Sequence, residues 1–173
     1  MSLKNGLLSG LLFAAALWPA TSAAADAGKT ITGAEMVRIL QDAGYRAKLD
    51  KDKDGDPRIE TKMSGMNVYV SFYDCKQDRC GSLQFAVALD LADGTTFEAM
   101  NDFNSNYRYA RAHLDDEMDP FLRFDFEVLH TDHTAHIASQ IDLWEDVLGA
   151  FLKATGSEGE GEGEGLSEEG SEG

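Results

Sequence analysis

The feature that most constrains this chain is a pair of segments in which apolar and polar residues alternate on either side of two cysteines. The apolar members are Val68, Val70 and Phe72 in Asn67–Tyr73, and Leu83, Phe85, Val87 and Leu89 in Ser82–Leu89. A period of two residues is the pattern of a strand with one buried face. Because few residues separate the two segments, we expect an antiparallel hairpin whose apolar face is covered by other elements.

Neither end of the chain has the composition of a folded domain. Lys4 is followed by an apolar run from Leu7 to Trp18 and then by small residues up to Ala25, which is the pattern of a secretory signal peptide. The run is shorter than the roughly 20 residues of a transmembrane helix. Residues 156–173 contain seven Glu and no Lys or Arg, a composition typical of disorder.

These patterns predict a signal peptide over residues 1–25, one domain over 26–155 and a disordered acidic Gly/Glu tail over 156–173. The mature protein would be periplasmic or secreted and would not be inserted in a membrane. We interpret the tail as a solubilising appendage, with a binding or cation-attracting role as the alternative.

Cys75 and Cys80 are the two cysteines of the chain. Two cysteines close together in a hairpin of an exported protein most simply form one disulfide, which in so short a loop stabilises by about 2 kcal/mol. A redox pair is more usually separated by two residues beside a helix N-terminus. A zinc site would need further ligands, which could come from His130, His133 and His136. We therefore predict a structural disulfide, with redox and metal roles as alternatives.

The rest of the predicted domain has the pattern of an α+β protein. Thr32 and Glu35 form a capping-box pattern at the start of a helix that Gly44 would end. Thr95 and Glu98 repeat the capping pattern ahead of a second helix. Further strands are predicted at Tyr45–Leu49, Arg58–Met63, Arg108–Leu114 and Phe121–Leu129. With a last helix at Thr134–Thr155, the order is α-β-β-β-β-α-β-β-α, an antiparallel meander with helices.

The last predicted helix has the clearest apolar stripe. The apolar side chains that recur at helical spacing are Ile137, Ile141, Trp144, Val147, Leu148, Phe151 and Leu152. A stripe of this width has to be covered by a sheet or by a partner. We predict that Phe151 and Leu152 face a protein partner; the alternative is that the whole stripe packs on the chain's own sheet.

The chain carries 31 Asp and Glu against 15 Lys and Arg, which gives a formal net charge of −16. This balance excludes an electrostatic nucleic-acid binder, because a phosphate backbone is held by clustered Lys and Arg. It also argues against docking on anionic lipid head groups. Part of the acidity lies in two predicted turns, Asp50–Asp56 and Asp115–Asp119.

The first of these turns partly matches a calcium-binding loop. Asp50, Asp52 and Asp54 place carboxylates at alternate positions before Gly55, as in the first half of an EF-hand loop. The second half of the segment does not match an EF-hand loop, because its twelfth position is Thr61 rather than a Glu that could bind calcium with both oxygens. We interpret the segment as a polar turn and keep a divalent-cation or small-ligand sensor at this loop as the alternative.

The sequence contains no familiar catalytic motif. G-x-S-x-G, H-E-x-x-H and a Gly-rich phosphate loop are all absent. Both cysteines are better explained by a disulfide than by a nucleophile. We therefore predict no catalytic residues, no cofactor and no enzymatic activity.

Several short motifs follow one another along the predicted domain: Ala43-Gly44-Tyr45, Asp54-Gly55-Asp56-Pro57, NVYVSFYDC at 67–75, CGSLQF at 80–85, Met100–Asn104, YRYARAHLD at 107–115, and Trp144. In this order they resemble the YbjN family of bacterial sensory transduction regulators. The resemblance extends from Thr32 to Phe151. It implies a compact α+β fold similar to small type III secretion chaperones, often dimeric, and no known catalytic residues.

The resemblance and the signal peptide together favour a non-catalytic periplasmic protein. We interpret it as a protein-binding or chaperone-like regulatory module in stress or envelope signalling. Its protein partner is not identified by the sequence, and the resemblance also allows a homodimer. The sensor that uses Asp50–Asp56 is the alternative function.

Overall fold

The computed structural model describes residues 30–128 and 133–157. The predicted signal peptide, residues 1–25, lies outside the described residues. So does the predicted acidic tail, apart from Gly156 and Ser157, and so does His130, one of the three histidines considered as zinc ligands.

The described residues form three helices and one six-stranded antiparallel sheet, so the predicted α+β class and order of elements are confirmed. Each boundary lies within two residues of its prediction. The elements in chain order are α1 Gly33–Asp42, β1 Ala47–Lys51, β2 Pro57–Met63, β3 Met66–Tyr73, β4 Ser82–Ala88, α2 Phe97–Asn106, β5 Ala110–Leu114, β6 Pro120–Glu127 and α3 His133–Thr155.

The order of the strands differs from a simple meander in its second half. The order in the sheet is β1-β2-β3-β4-β6-β5, because the chain crosses through α2 to the edge strand β5 and returns through β6 beside β4. Burial explains this arrangement. β6 buries Leu122, Phe124 and Phe126 at alternate positions, as an interior strand can, whereas β5 buries only Ala112. The more apolar strand therefore takes the interior place.

Two helix starts illustrate how local sequence sets the elements. Thr32 is the N-cap of α1 and forms the predicted capping box with Glu35; the Glu35 amide donates to Thr32 Oγ1 at 3.2 Å, and the Thr32 amide to Glu35 Oε2 at 2.8 Å. In α2 the N-cap is Thr96 rather than the predicted Thr95, since the Ala99 amide donates to Thr96 Oγ1 at 3.1 Å. Two adjacent threonines could each serve as the N-cap, so local sequence does not decide between them. Thr95 instead donates its amide to the Met118 carbonyl, outside the helix.

All three helices pack on one face of the sheet. α1 contacts β1 and β2, α2 contacts β5, and α3 contacts β6 and both other helices. Trp144 of α3 lies at the centre of this core, with ring centroids 5.6 Å from Phe85 and 6.2 Å from Phe124. The opposite face of the sheet receives no helix from the described part of the chain.

None of the helices in the described residues has the length and apolarity that a membrane crossing requires.

Candidate binding surface

The face of the sheet opposite the helices, which we call the open face, has no packed element from the described residues. Its side chains follow from the register, because they alternate with the buried ones. They are Lys48 and Asp50 of β1, Arg58, Glu60 and Lys62 of β2, Asn67, Tyr69, Ser71 and Tyr73 of β3, Ser82, Gln84, Ala86 and Ala88 of β4, Arg111 and His113 of β5, and Phe121, Arg123, Asp125 and Glu127 of β6.

Small side chains along β4 form the floor of a groove in the open face. Ala86 is only 5% exposed although no helix covers it. Its cross-strand neighbours are Tyr69 on one side and Arg123 on the other, and these longer side chains stand above it. Ala88 lies opposite Phe121 in the same way. The groove therefore follows β4, between the side chains of β3 and β6.

Aromatic rings and basic side chains line both sides of this groove. On the β2–β3 side, the Arg58 guanidinium lies over the Tyr69 ring, 4.4 Å from its centroid, an arrangement that attracts the cation to the ring. This side also holds a depression of about 230 Å³ lined by Asp50, Lys51, Arg58, Glu60 and Tyr69. On the β5–β6 side, the His113 ring stacks on Phe121 with centroids 5.2 Å apart.

Charge also distinguishes the open face from the rest of the described chain. The open face carries five Lys and Arg and four carboxylates, an excess of one positive charge. The remaining described residues carry eight Lys and Arg against 18 Asp and Glu, an excess of ten negative charges. The open face therefore repels an acidic ligand less than the remaining described residues do on average.

Hydrogen bonds order the polar side chains at the middle of the open face. Asp125 accepts from Gln84 Nε2 at 2.6 Å and from Arg111 Nη1 at 2.6 Å. Gln84 is 6% exposed and so depends on this bond, because a buried amide without a partner is costly. These bonds hold the groove wall in one arrangement before any ligand arrives, which lowers the entropy cost of binding.

Phe151 and Leu152, the predicted partner-facing residues, lie in the core. Phe151 is 0% and Leu152 5% exposed, and the Phe151 ring meets Phe103 of α2 edge-on at 5.5 Å. The stripe on α3 is covered by the chain's own sheet and helices, which is the alternative left open by the sequence. These two residues therefore do not form a partner surface on the described fold, and the open face takes that place in our proposals.

Cys75 and Cys80 form a disulfide across the β3–β4 connection. The bridged loop supports the entry to α1. The Ile31 amide donates to the Cys80 carbonyl at 2.9 Å and the Cys80 amide to the Ile31 carbonyl at 2.8 Å. Arg79, inside the loop, donates to the Thr30 carbonyl at 2.7 Å and lies 3.3 Å from the Glu35 carboxylate. The disulfide thus constrains a loop that holds the first described residues on the sheet.

The structure does not gather the carboxylates of Asp50, Asp52 and Asp54. Asp52 Oδ1 accepts the amides of Asp54 at 3.0 Å and Asp56 at 2.8 Å, while Asp50 Oδ1 accepts the Lys51 amide. These bonds form a tight turn between β1 and β2, the polar turn expected from the sequence. Calcium binding at this loop remains the alternative, to be tested by titration.

A different acidic turn brings three carboxylates together. Within the described ranges, one group of His, Cys, Asp or Glu side chains has three ligand atoms all within 4.8 Å of one another: Asp115, Glu117 and Asp119, between β5 and β6. Asp115 Oδ1 accepts the amides of Glu117 and Asp119, each at 2.9 Å, and Asp119 Oδ1 accepts the Leu91 amide at 2.9 Å. The hydrogen bonds of the turn account for this proximity.

The open face was not among the surfaces predicted from the sequence, although the sequence carries a signal for it. The polar members of each alternation, such as Tyr69, Ser71 and Gln84, share one face once the strands pair. Taken together as one surface, as the apolar members form one core, these polar members show its aromatic and arginine content. The neighbouring Arg111 and Arg123 could not be paired this way without the β5–β6 register.

No match to a curated protein reaches significance. The family model that matches covers residues 32–156, which is most of the chain, and is described as "YbjN: Putative bacterial sensory transduction regulator". The match spans all three described helices and all six strands. The chain therefore belongs to the YbjN family.

Proposed function

We propose that this protein is a non-catalytic, chaperone-like regulator of the bacterial periplasm that binds a segment of a partner protein in the groove of the open face. Family membership supports the regulatory role, and the predicted signal peptide supports the location. The observation that carries the proposal is the charge contrast between the open face and the rest of the domain. A surface used only for solubility would share the acidity of the turns.

The groove fits an extended, acidic segment. Its floor at Ala86 and Ala88 is low enough for a backbone to approach, and its walls rise at Tyr69 on β3 and Arg123 on β6. Carboxylates of a bound segment would lie within reach of Arg58 on one side and Arg123 on the other, and guanidinium groups recognise carboxylates in planar pairs. Apolar side chains of the segment would pack on the Tyr69 and Phe121 rings.

Charge reversal on the open face tests this proposal. The chain without residues 1–25 would be used to capture proteins from a periplasmic extract, alone or as Arg123→Glu. Arg38→Glu, at an exposed position of α1 away from the open face, is the matched control. We expect Arg123→Glu to lose one or more proteins that the wild type and Arg38→Glu both retain, and the loss to be reproduced by high salt because screened charges attract less.

Cross-linking identifies where the captured protein lies. Cross-links between its acidic segments and Lys48 or Lys62 on the open face would support the proposal. If Arg123→Glu, shown to be folded by its melting curve, retains the same proteins as the wild type, the proposal is wrong. It is equally wrong if the cross-links lie only on the helical side of the domain.

A further inference from the structure

We propose that the glutamates of residues 158–173 bind in cis to a corner of the open face formed by Arg111, Arg123 and His113, so that the chain's own C-terminal segment competes with the partner. We call these three residues the arginine corner. The inference rests on the proposed function of the open face and names a second occupant of that face.

The arginine corner holds an excess of positive charge, because two arginines share one neighbouring carboxylate. Arg111 and Arg123 are direct cross-strand partners in the β5–β6 pair, and like charges directly opposite one another destabilise a sheet. Asp125 pairs with Arg111 at 2.6 Å, which leaves the corner with more positive than negative charge. Burial, together with the nearby Arg123 and Arg111, holds the pKa of His113 below its usual value, against an opposing influence of Asp115. The arginine corner therefore disfavours protonation of His113.

The end of α3 lies on the helical side of the sheet, near the β5 edge, whose other face carries the arginine corner. Phe151, in the last turns of α3, contacts Phe103 of α2. The next residue of α2, Asn104, bonds both the amide and the carbonyl of Ala112 on the edge strand β5, at 2.8 and 2.9 Å. Ala112 lies between Arg111 and His113 in the strand. The chain that continues past Ser157 therefore starts close to the β5 edge, around which the open face begins.

The length and charge of the continuing segment suit this contact. Residues 158–173 number 16 and span at most about 55 Å when extended, enough to pass around one edge of a small domain. They contain seven Glu and no basic residue. A route across the β5 edge passes Arg108, which lies exposed just before the strand, and avoids the acidic turn Asp115–Asp119.

Attachment to the same chain makes even a weak contact effective. A tethered segment of this length acts at an effective concentration in the millimolar range, so a few glutamate–arginine pairs would keep the corner occupied. A partner with an acidic segment would then have to displace the chain's own glutamates. The acidic segment would accordingly set the affinity that a partner must exceed.

Nuclear magnetic resonance of the chain without residues 1–25 tests the proposal. The comparison is between the wild type and a variant of equal length in which the seven Glu of 158–173 are replaced by Gln. We expect the amide signals of Arg111, His113 and Arg123 to differ between the two proteins at low salt. The difference should vanish at about 1 M salt, where the screening length is about 3 Å. The His113 pKa should also be higher in the wild type, because nearby carboxylates favour imidazolium.

Three outcomes would overturn the proposal: identical spectra at the arginine corner, differences confined to the helical side, or differences that grow with protein concentration, which would indicate binding between copies. Arg123→Glu should abolish the difference in amide signals between the Glu and Gln forms of residues 158–173, whereas Arg38→Glu should leave that difference intact.

Extract capture separates this inference from the proposed function. If the spectra are identical yet Arg123→Glu still loses its partner, only the cis contact is wrong. If the cis contact is present yet Arg123→Glu keeps every captured protein, only the proposed function is wrong.

Discussion

Glu35 connects three parts of the chain at the scale of single residues. Its Oε2 atom accepts from the Thr32 amide at 2.8 Å and from Thr32 Oγ1 at 2.9 Å, and Arg79 of the disulfide loop lies 3.3 Å away. Burial raises the pKa of Glu35, but the Thr32 hydrogen bonds and the Arg79 charge outweigh it and hold this pKa below its ordinary value of 4.5. The charged form is therefore the one that stabilises the fold.

We predict that Glu35→Gln lowers stability at neutral pH by less than about 1 kcal/mol, as expected for a partly exposed charge. A carboxyl whose pKa is lower in the folded state stabilises above its unfolded value, and this contribution is lost as the pH falls through the folded value. The gap between wild type and variant should therefore close below pH 4.5. Urea unfolding across a pH series measures this gap in the free energy of unfolding. Glu98→Gln, at an exposed position of α2, is the control. A gap that stays constant with pH would contradict the prediction.

The sequence predicts this residue cluster only in part. Thr32 and Glu35 are three residues apart, so their capping box can be identified from local spacing. Arg79 lies 49 residues from Thr30, and no pattern in the sequence brings the two together. The disulfide of the same loop could be predicted, because Cys75 and Cys80 are only five residues apart. What the disulfide loop holds can be learned only from the tertiary structure.

Asn104 protects an exposed strand edge at the scale of elements. β5 is the last strand of the sheet, and its outer edge would otherwise offer free backbone groups to another strand. The Asn104 side chain satisfies both backbone groups of Ala112, as a neighbouring strand would. α2 thus shields the β5 edge with one side chain, even though the helix itself runs beside the sheet.

We predict that Asn104→Ala destabilises the fold by about 2 kcal/mol, since two hydrogen bonds of about 1 kcal/mol each are lost. It should also promote self-association, because the freed edge can pair with a second copy. Thermal melting and light scattering measure the two effects. Asn101→Ala, one turn earlier on the exposed side of α2, is the control. A variant that melts like this control and self-associates no more than it does would show that Asn104 does not protect the edge.

Elements were easier to predict than their arrangement. The alternation of Val68, Val70 and Phe72 depends only on neighbours, so β3 could be placed closely. The position of β6 between β4 and β5 depends on competition among strands for the interior, which spacing does not encode. The apolar stripe of α3 posed a similar problem: its spacing shows that Phe151 must be covered but not by what. In the described fold the chain's own sheet and helices cover it.

At the scale of the whole molecule, acidity is separated from the candidate binding surface. The chain has a net charge of −16, of which residues 158–173 contribute seven negative charges. The turns Asp50–Asp56 and Asp115–Asp119 contribute further carboxylates, whereas the open face has a slight positive excess. Because of this separation, an acidic ligand can approach the protein at the open face, while the charged remaining surface stays hydrated.

The same distribution raises the question of whether the acidic turns hold calcium. Calcium takes six to eight oxygen ligands, but the turn carboxylates already accept backbone amides: Asp52 from Asp54 and Asp56, and Asp115 from Glu117 and Asp119. These bonds hold Oδ1 of Asp52 and Oδ1 of Asp115 on the turn backbone, so a cation would have to be bound mainly through the remaining carboxylate oxygens and water. We therefore predict that millimolar calcium leaves the melting temperature of the mature chain unchanged.

Thermal melting with calcium, with magnesium and with chelator checks this prediction. A site with a dissociation constant ten times below the calcium concentration would add about 1.4 kcal/mol of stability, which is well within detection. If calcium does raise the melting temperature, Asp54→Asn and Glu117→Gln locate the site. Loss of the shift in Asp54→Asn alone would restore the sensor hypothesis for Asp50–Asp56. Loss in Glu117→Gln alone would place the ion at Asp115–Asp119, where the structure already brings three carboxylates within 4.8 Å.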